Sequence, residues 1–317
     1  MRLALAGDTM LGRGVAEALR SHDPAALVAP EVVALAHEAD LFVLNLECCI
    51  SEGGRPWPAP GKPFHFRAPP AAADLLVHLG VRCVTLANNH ALDFGREALL
   101  ETFEHLAAAG IVWVGAGRDL ESARAPVVLE ATGERLGVVA LSDHPKDFAA
   151  APDRAGIAWS DLREDVPGWV PDAIGSLAAD YVLVSPHWGP NMNDRPLPYV
   201  RRAAAELHSA GASLVAGHSA HVVQGAERAV LYDLGDFLDD YRVDPRLRND
   251  LGLLFLVDLA DGKARRVEAV PLKLEYCFTC LAHGDEAAWM RRRFRELCVE
   301  LGTQVAEADG RVVIDWA

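Results

Sequence analysis

Long apolar runs are missing from this sequence of 317 residues. Its apolar stretches, such as the run from Leu253 to Val257, fall well short of the roughly 18 residues that a membrane-spanning helix needs. The apolar run between Met1 and Asp8 is too short for a signal peptide and instead predicts a first core strand. We therefore expect no membrane span and a cytoplasmic location.

Positive charge is also scarce. Lysine and arginine total 30 against 45 aspartates and glutamates, so the formal net charge is −15. The average surface field repels nucleic acid and anionic membrane, and no cluster of lysines and arginines opposes it. We expect no nucleic-acid partner. An acidic total is compatible with recruiting metal cations but is weak evidence for it.

Cysteine is too sparse for a structural zinc site. Of six cysteines, only Cys277 and Cys280 have C-x-x-C spacing, and a four-ligand zinc site would need two further ligands nearby. We expect reduced, partly buried cysteines. A redox role is the minor alternative.

The sequence does contain short apolar runs that alternate with amphipathic stretches, which is typical of βαβ crossovers in an α/β protein. The runs predicted as strands are residues 3–6, 41–44, 83–86, 112–114, 138–141, 181–184 and 214–216. The stretches predicted as helices are residues 24–39, 71–79, 96–109, 171–179 and 198–210.

The later part of the chain changes character. Apolar runs at 230–233, 253–258 and 267–274 follow one another without a long helix between them, which predicts antiparallel strands that complete the sheets. We predict one domain over 1–275 and a C-terminal helical extension over 276–317, with a helix at 286–301 and a strand at 312–314, packing on the same domain. The proline-rich segment 51–70 is predicted to be a long irregular loop, which is commonly functional.

Side chains able to bind a cation or move a proton follow nearly every predicted core strand. Five strand ends carry them, as Asp8, Asn45 with Glu47, Asn88 with Asn89 and His90, His187, and His218 with His221. In open α/β sheets, ligands bind outside the carboxyl ends of the strands, where loops converge. Imidazole, carboxylate and amide donors suit borderline divalent ions such as zinc, manganese or iron. The pattern predicts a metal site.

Each of these residues has an ordinary alternative when taken alone. Asp8 could cap a following helix, and Asn89 could stabilise a turn. His187 could be a hydrogen-bonded structural histidine. The metal interpretation depends on the five strand ends having the same chemistry, whereas most other histidines fall on helices or in loops. Two of those, His65 and His144, lie in loops that could overhang the site.

Six motifs occur in order within residues 1–275. They are AGDTMLGR at 6–13, NLE at 45–47, NNHALDFG at 88–95, HWG at 187–189, GHSAHVVQ at 217–224 and YDLGDF at 232–237. In these motifs the sequence resembles the CapA-type poly-γ-glutamate capsule-biosynthesis family of the calcineurin-like metallophosphoesterase superfamily. The resemblance implies a four-layer αββα sandwich with two mixed sheets and two divalent metal ions, Mn²⁺, Zn²⁺ or Fe²⁺, at its rim.

The resemblance also implies roles for single residues. The implied metal ligands are Asp8, Glu47, Asn89, His187, His218 and His221. His90 is implied to act on the substrate, and Asp93, three residues later, could orient it. Arg13 could neutralise an anionic substrate by bidentate contact, or could be an ordinary surface arginine. The superfamily usually has a histidine where this sequence has Met10, so one imidazole ligand is missing.

Three functions are compatible with this reading. The first is a metal-dependent hydrolase that acts on a phosphate ester or another anionic, polyglutamate-related substrate through metal-activated water. The second is a metal-dependent peptide epimerase that transfers a proton at an α-carbon. The third is a non-catalytic capsule-assembly component, because fold and metal do not fix function. We expect a small anionic or peptide substrate as the partner, and the oligomeric state is left open.

Overall fold

The computed structural model describes residues 1–316, in which strands and helices alternate through the first half. The strands of that half are β1 (Arg2–Thr9), β2 (Leu41–Leu46), β3 (Cys49–Ile50), β4 (Arg67–Ala68), β5 (Val81–Thr85), β6 (Val112–Val114), β7 (Ala116–Gly117), β8 (Val127–Ala131), β9 (Glu134–Ser142) and β10 (Gly156–Ile157). Those of the second half are β11 (Tyr181–His187), β12 (Leu214–Ala216), β13 (Ala226–Glu227), β14 (Val230–Leu231), β15 (Asp236–Leu238), β16 (Leu251–Ala260), β17 (Lys263–Glu275), β18 (Phe278–Leu281), β19 (Ala306–Ala308) and β20 (Arg311–Asp315).

The helices cover the outer faces of the sheets. They are α1 (Arg13–Ser21), α2 (Pro30–Ala36), α3 (Ala71–His78), α4 (Gly95–Ala108), α5 (Leu120–Arg124), α6 (Trp169–Ser176), α7 (Pro198–Ser209) and α8 (Gly284–Glu300). No helix within residues 1–316 combines the length and the apolar character that crossing a membrane requires.

Two mixed sheets form the centre of the molecule. The larger has the order β19-β20-β17-β16-β1-β2-β5-β6, with β15 beside the end of β1 and β18 beside β17. In it, β1, β2, β5 and β6 are parallel, whereas β16, β17 and β20 are antiparallel. The smaller has the order β13-β14-β12-β11-β9-β8, with a parallel centre and an antiparallel strand at each edge.

Alternating side chains on β1 show how the layers are stacked. Leu3 and Leu5 belong to the apolar cluster that also contains Leu183 of β11, so they face the smaller sheet. Ala4 and Ala6 belong to the cluster formed with α1, α2, α3 and α4. A third cluster joins the far face of the smaller sheet to α6 and α7. This alternation, with a period of two residues, confirms the αββα sandwich.

Two predicted helices differ in the structure. The helix predicted over 24–39 is divided into a 3₁₀ turn at Pro24–Leu27 and α2, because Pro30 has no amide hydrogen to continue the earlier turn and instead starts a new helix at its first position. The helix predicted over 171–179 runs from Trp169 to Ser176, with Pro171 in the first turn, where no intrahelical donor is needed.

The region after residue 275 contributes strands as well as a helix. Strand β18 forms a hairpin with β17, and β20 pairs with the other end of β17. Helix α8 packs on the same sheet, where Phe294 meets Phe255 of β16 with ring centroids 5.7 Å apart. The domain division at residue 275 stays a prediction, and the strands on either side of it belong to one sheet.

Replacing Phe294 tests this packing. We expect Phe294→Ala to lower the free energy of unfolding by about 3–5 kcal/mol, because the ring is fully buried and its removal leaves a cavity. Urea denaturation measures the change. Glu296→Ala, at an exposed position of the same helix, is the control and should change stability by less than about 0.5 kcal/mol. Equal effects of the two substitutions would show that α8 does not pack on the sheet.

Candidate metal centre

The polar strand ends of both sheets meet at one rim of the sandwich. Asp8 lies near the end of β1, and Glu47 follows β2 directly. His187 is the last residue of β11, and it forms an isolated parallel bridge with His218, which follows β12. Because parallel strands end at the same edge, chain direction brings the residues of each sheet to one rim, and packing of the two sheets against each other brings the two rims together.

Four buried side chains at this rim form a tight cluster. Asp8, Glu47, His221 and Asp236 place ligand atoms within 4.8 Å of one another. The His221 Nδ1 atom lies 2.8 Å from Asp236 Oδ1 and 3.4 Å from Asp8 Oδ2, and its Nε2 atom lies 3.8 Å from Glu47 Oε1. The cluster offers three carboxylates and one imidazole, a donor set that suits a divalent cation.

His218 and His187 extend the centre toward the smaller sheet. The His218 Nε2 atom is hydrogen-bonded to Ser185 Oγ at 3.0 Å, and its Nδ1 atom lies 3.7 Å from Asp8 Oδ1. A hydrogen bond at one ring nitrogen fixes the orientation in which the other nitrogen can bind a metal. The Nδ1 atom of His187 is buried. Each of the two histidines therefore has a buried Nδ1 atom without a hydrogen-bond partner.

Unpartnered atoms test whether cations fit here. Among the described residues, six buried atoms of the predicted and neighbouring ligands have no hydrogen-bond partner, namely Glu47 Oε1 and Oε2, Asn89 Oδ1, His187 Nδ1, His218 Nδ1 and Asp236 Oδ2. Leaving a buried polar atom unsatisfied costs roughly 1–3 kcal/mol. A divalent cation in the four-residue cluster would satisfy the atoms of Glu47 and Asp236, so these residues fit a metal centre.

The pKa shifts of the metal-free centre also support a cation site. Burial, and then repulsion from Asp8, raises the pKa of Glu47 well above its ordinary value. Burial lowers the pKa of His218 to about 4, against the attraction of Asp8. For His221, burial also acts to lower the pKa, but the nearby carboxylates Glu47 and Asp8 outweigh it and raise the pKa. The buried carboxylates therefore favour positive charge at this site, on His221 or on a bound cation.

The loop that follows β12 has a strained backbone at two residues, one of which is the predicted ligand His221. Ser219 and His221 have φ angles of 114° and 58°, in a region that side chains other than glycine rarely adopt. The Ser219 amide donates to Asp8 Oδ2 at 3.2 Å, and the Ala220 amide donates to Asp233 Oδ2 at 2.8 Å. Such conformations persist when surrounding contacts determine them, and they cluster at functional sites.

Asp236 belongs to the four-residue cluster but is not among the predicted ligands. It pairs in parallel register with Asp8, and the Asp8 amide donates to the Gly235 carbonyl at 2.8 Å. The two chains approach so closely that a Cβ atom on Gly7 would lie 1.8 Å from that carbonyl oxygen. The repeated Gly-Asp pattern, at Gly7–Asp8 and again before Phe237, was the available signal.

Met10 supplies no ligand. Its side chain is fully buried in the apolar cluster behind β1, and its Sδ atom accepts a hydrogen bond from the Gly12 amide at 3.0 Å. The imidazole that the resemblance would imply at this position is therefore absent, whereas Asp236 adds a carboxylate to the four-residue cluster.

His90 and Asp93 form a buried pair beside the cluster. The His90 Nδ1 atom is 2.5 Å from Asp93 Oδ2, and its Nε2 atom is 3.8 Å from Glu47 Oε1. Burial lowers the pKa of His90 to about 4, although Asp93 opposes the shift. His90 is thus neutral in the metal-free protein. Its Nδ1 hydrogen is donated to Asp93, and its Nε2 atom faces the centre.

Arg13 lies at the mouth of the site and not among the ligands. Its Nη2 atom is 2.9 Å from Asp240 Oδ1, and its guanidinium lies over the rings of Phe64 and Phe66 at 5.2 and 5.7 Å. It lines a cleft of about 630 Å³ that His90 and His221 also line. A ligand in this cleft would contact Arg13 and the two histidines together.

Comparisons with known proteins identify the family. The sequence model described as "Bacterial capsule synthesis protein PGA_cap" matches residues 2–241. A probable polyglutamine synthesis accessory protein of Mycobacterium tuberculosis is 33% identical over 84% of this chain and 74% of its own length. The capsule biosynthesis protein CapA of Bacillus anthracis is 24% identical over 87% of this chain and 68% of its own.

One solved structure supports the fold. A phosphatase of Mycoplasma pneumoniae superposes with a TM-score of 0.51 at 13% identity, over 86% of this chain and 93% of its own. At that identity the likeness concerns the arrangement of strands and helices alone.

Metal analysis tests the centre. We expect the purified protein to bind Mn²⁺ or Zn²⁺, and we expect His218→Ala to weaken binding by at least about 10-fold, as the loss of a ligand or its orienting partner does. Isothermal titration calorimetry measures the affinity. His208→Ala, at an exposed position of α7, should bind like the wild type. Wild-type affinity in His218→Ala would contradict the assignment.

We expect a bound metal to raise the melting temperature, and we expect this increase to become smaller as the pH falls from about 7.5 to about 5. The raised pKa values of Glu47 and Asp236 mean that protons compete with the cation, and they compete better as the pH falls. In the metal-free fold the pKa of Asp239 is raised from 3.8 to about 6. Protonated Asp239 therefore stabilises the metal-free fold below pH 3.8, and this stabilisation is lost as the pH rises through about 6. Scanning fluorimetry with Mn²⁺ and with EDTA at each pH measures the gain. An increase toward low pH would contradict this account.

Proposed function

This chain belongs to the bacterial capsule synthesis protein family, and from that premise we propose that it is a divalent-metal-dependent hydrolase acting on a phosphate ester or another anionic substrate related to polyglutamate. One observation carries the proposal. The buried, unpartnered donor atoms and the His90–Asp93 pair lie next to each other, beside one cleft. A protein that only binds its ligand would need these metal-binding atoms but would not need a histidine oriented beside them.

We assign two ion positions. Asp8, Glu47, His221 and Asp236 would hold one ion, and Glu47, Asn89, His187 and His218 would hold the other, with Glu47 shared between them. Bound ions would polarise the scissile group and make water more acidic. The mixed set of oxygen and nitrogen donors suits Mn²⁺, Zn²⁺ or Fe²⁺.

The chain's own residues then orient the substrate and move a proton. His90, held through Nδ1 by Asp93, presents Nε2 to the centre and delivers a proton to the departing oxygen. An anionic substrate adds negative charge beside His90, which favours the protonated imidazole and offsets the effect of burial. Arg13, at the mouth of the same cleft, binds a second anionic group of the substrate.

A second histidine–carboxylate pair favours one alternative, the peptide epimerase. Asp143 and His144 follow β9 of the smaller sheet, and the His144 Nδ1 atom is hydrogen-bonded to Asp143 Oδ1. The His144 ring lies 5.2 Å from that of His187. Inverting an α-carbon needs an acid and a base on opposite faces, and pairs on two facing sheets would supply them. This reading predicts proton exchange at a peptide α-carbon in place of hydrolysis.

Turnover measurements test the hydrolase. With Mn²⁺ present, we expect hydrolysis of phosphomonoesters or phosphodiesters, and we expect His90→Ala to lower kcat by roughly 10²–10⁴-fold, the usual contribution of general acid–base catalysis. His78→Ala, at an exposed position of α3, is the control and should retain wild-type kcat.

Other outcomes would replace the proposal. Deuterium uptake at a peptide α-carbon, without ester hydrolysis, would support the epimerase. Metal binding with neither activity would support a capsule-assembly role, which agrees with the description of one relative as an accessory protein.

A further inference from the structure

The proline-rich segment 51–70 reaches the proposed catalytic pair through one partly buried cation, Lys62. The Lys62 Nζ atom lies 2.9 Å from Asp93 Oδ1 and donates to the backbone carbonyl of Asn89 at 2.9 Å. The side chain of Lys62 is only 15% exposed, and that of Asp93 is fully buried. One ammonium group therefore contacts both the carboxylate that orients His90 and the backbone of a proposed metal ligand.

We propose that Lys62 is a positioning residue, which fixes the Asp93 carboxylate and, through it, the ring of His90. The proposal rests on the proposed function, because it assigns to Lys62 a role in the reaction of the same site. Lys62 does not line the cleft where substrate would bind, so it acts through the residues that it contacts and not on the substrate itself.

The geometry at Asp93 shows why a cation is needed there. Asp93 Oδ2 accepts from the Phe66 amide at 2.6 Å and from His90 Nδ1 at 2.5 Å. Lys62 contacts the other oxygen. The ion pair at Oδ1, an atom that accepts no hydrogen bond, adds to the two hydrogen bonds at Oδ2 and favours one orientation of the carboxylate and, through it, of the His90 ring. Without Lys62, a buried negative charge would lose its ion-pair partner, a costly change at such a depth.

Further contacts hold the segment against the turn that carries His90. The Trp57 amide donates to the Asp93 carbonyl at 2.7 Å, and the Phe66 ring stacks on the His90 ring with centroids 3.9 Å apart. The Lys62 ammonium also lies 5.5 Å from the ring of Phe148, which packs edge-on against Trp57 at 5.0 Å. The contacts of Trp57 and Phe66 do not involve Lys62 and remain when Lys62 alone is changed, so a substitution tests the charge and not the loop.

Leaving-group dependence separates positioning from simple stabilisation. An alkyl phosphate ester needs a proton on its departing oxygen, whereas a p-nitrophenyl ester does not. With Mn²⁺ present, Lys62→Met should lower kcat for the alkyl ester by at least about 10-fold, part of the 10²–10⁴-fold effect of acid catalysis. It should leave KM and the p-nitrophenyl rate nearly unchanged. Lys62→Arg should restore most of the alkyl-ester rate, and Lys263→Met, exposed at the opposite end of the sheet, should match the wild type.

A double variant identifies the route of the effect. In a His90→Ala background, Lys62→Met should cause no further loss, because residues that act as one unit are not additive. Equal losses with both esters, or an additive loss in the double variant, would overturn the proposal. If Lys62→Met does not fold, Lys62→Gln takes its place, since it keeps a donor for the Asn89 carbonyl but carries no charge.

A readout independent of turnover distinguishes failure of this proposal from failure of the proposed function. The proton shared by His90 and Asp93 should give a far-downfield proton NMR signal that is lost in His90→Ala. Lys62→Met should shift or broaden this signal, and Lys62→Arg should retain it. If the wild type hydrolyses neither ester, the proposed function fails, and the NMR result alone decides for or against Lys62. An unchanged signal in Lys62→Met would overturn the positioning role.

Discussion

Burial of several carboxylates at one rim of the sandwich is the constraint on which the rest of the structure depends. Asp8, Glu47 and Asp236 are at most 2% exposed, and their nearest partners include histidines that burial tends to keep neutral. Isolated buried charges are strongly unfavourable unless they are paired or bind a metal. Bound cations would offset this cost, so the arrangement supports a metal centre at the rim.

The fold makes this concentration of charge possible. Strands β1 and β2 carry Asp8 and Glu47 to the rim of the larger sheet, while β11 ends at His187 on the smaller one. The apolar cluster between the sheets, which contains Leu5 and Leu183, fixes their spacing. Hydrogen bonds then orient the ligands, as when Asn45 donates to Asp8 at 2.7 Å. Because the contacts that stabilise the fold are distributed through the sandwich, polar atoms at the rim can remain without hydrogen-bond partners.

Much of the fold and part of the site could be predicted from the sequence. The strands predicted at 112–114 and 214–216 have those bounds in the structure, because apolar runs between helices leave few alternatives. The strand predicted over 41–44 continues to Leu46, since the amide side chain of Asn45 is satisfied inside the sheet. Strand-end chemistry placed the ligands in one region because parallel strands share an edge.

Other features depend on contacts that no local pattern reveals. Strand β15 has three residues, too few to show a periodicity, and Asp236 reaches the site only through pairing with β1. Lys62 lies in an irregular segment, and its partner Asp93 is distant in the sequence. The left-handed conformation of His221 follows from the hydrogen bonds around it and not from its residue type.

Anomalous X-ray diffraction from crystals grown with Mn²⁺ would locate bound ions at the rim without reference to activity. We expect two anomalous peaks there. One should lie among Asp8, Glu47, His221 and Asp236, and the other among Glu47, Asn89, His187 and His218. Absence of anomalous density at this rim, in crystals whose carboxylates keep the same buried arrangement, would contradict this expectation.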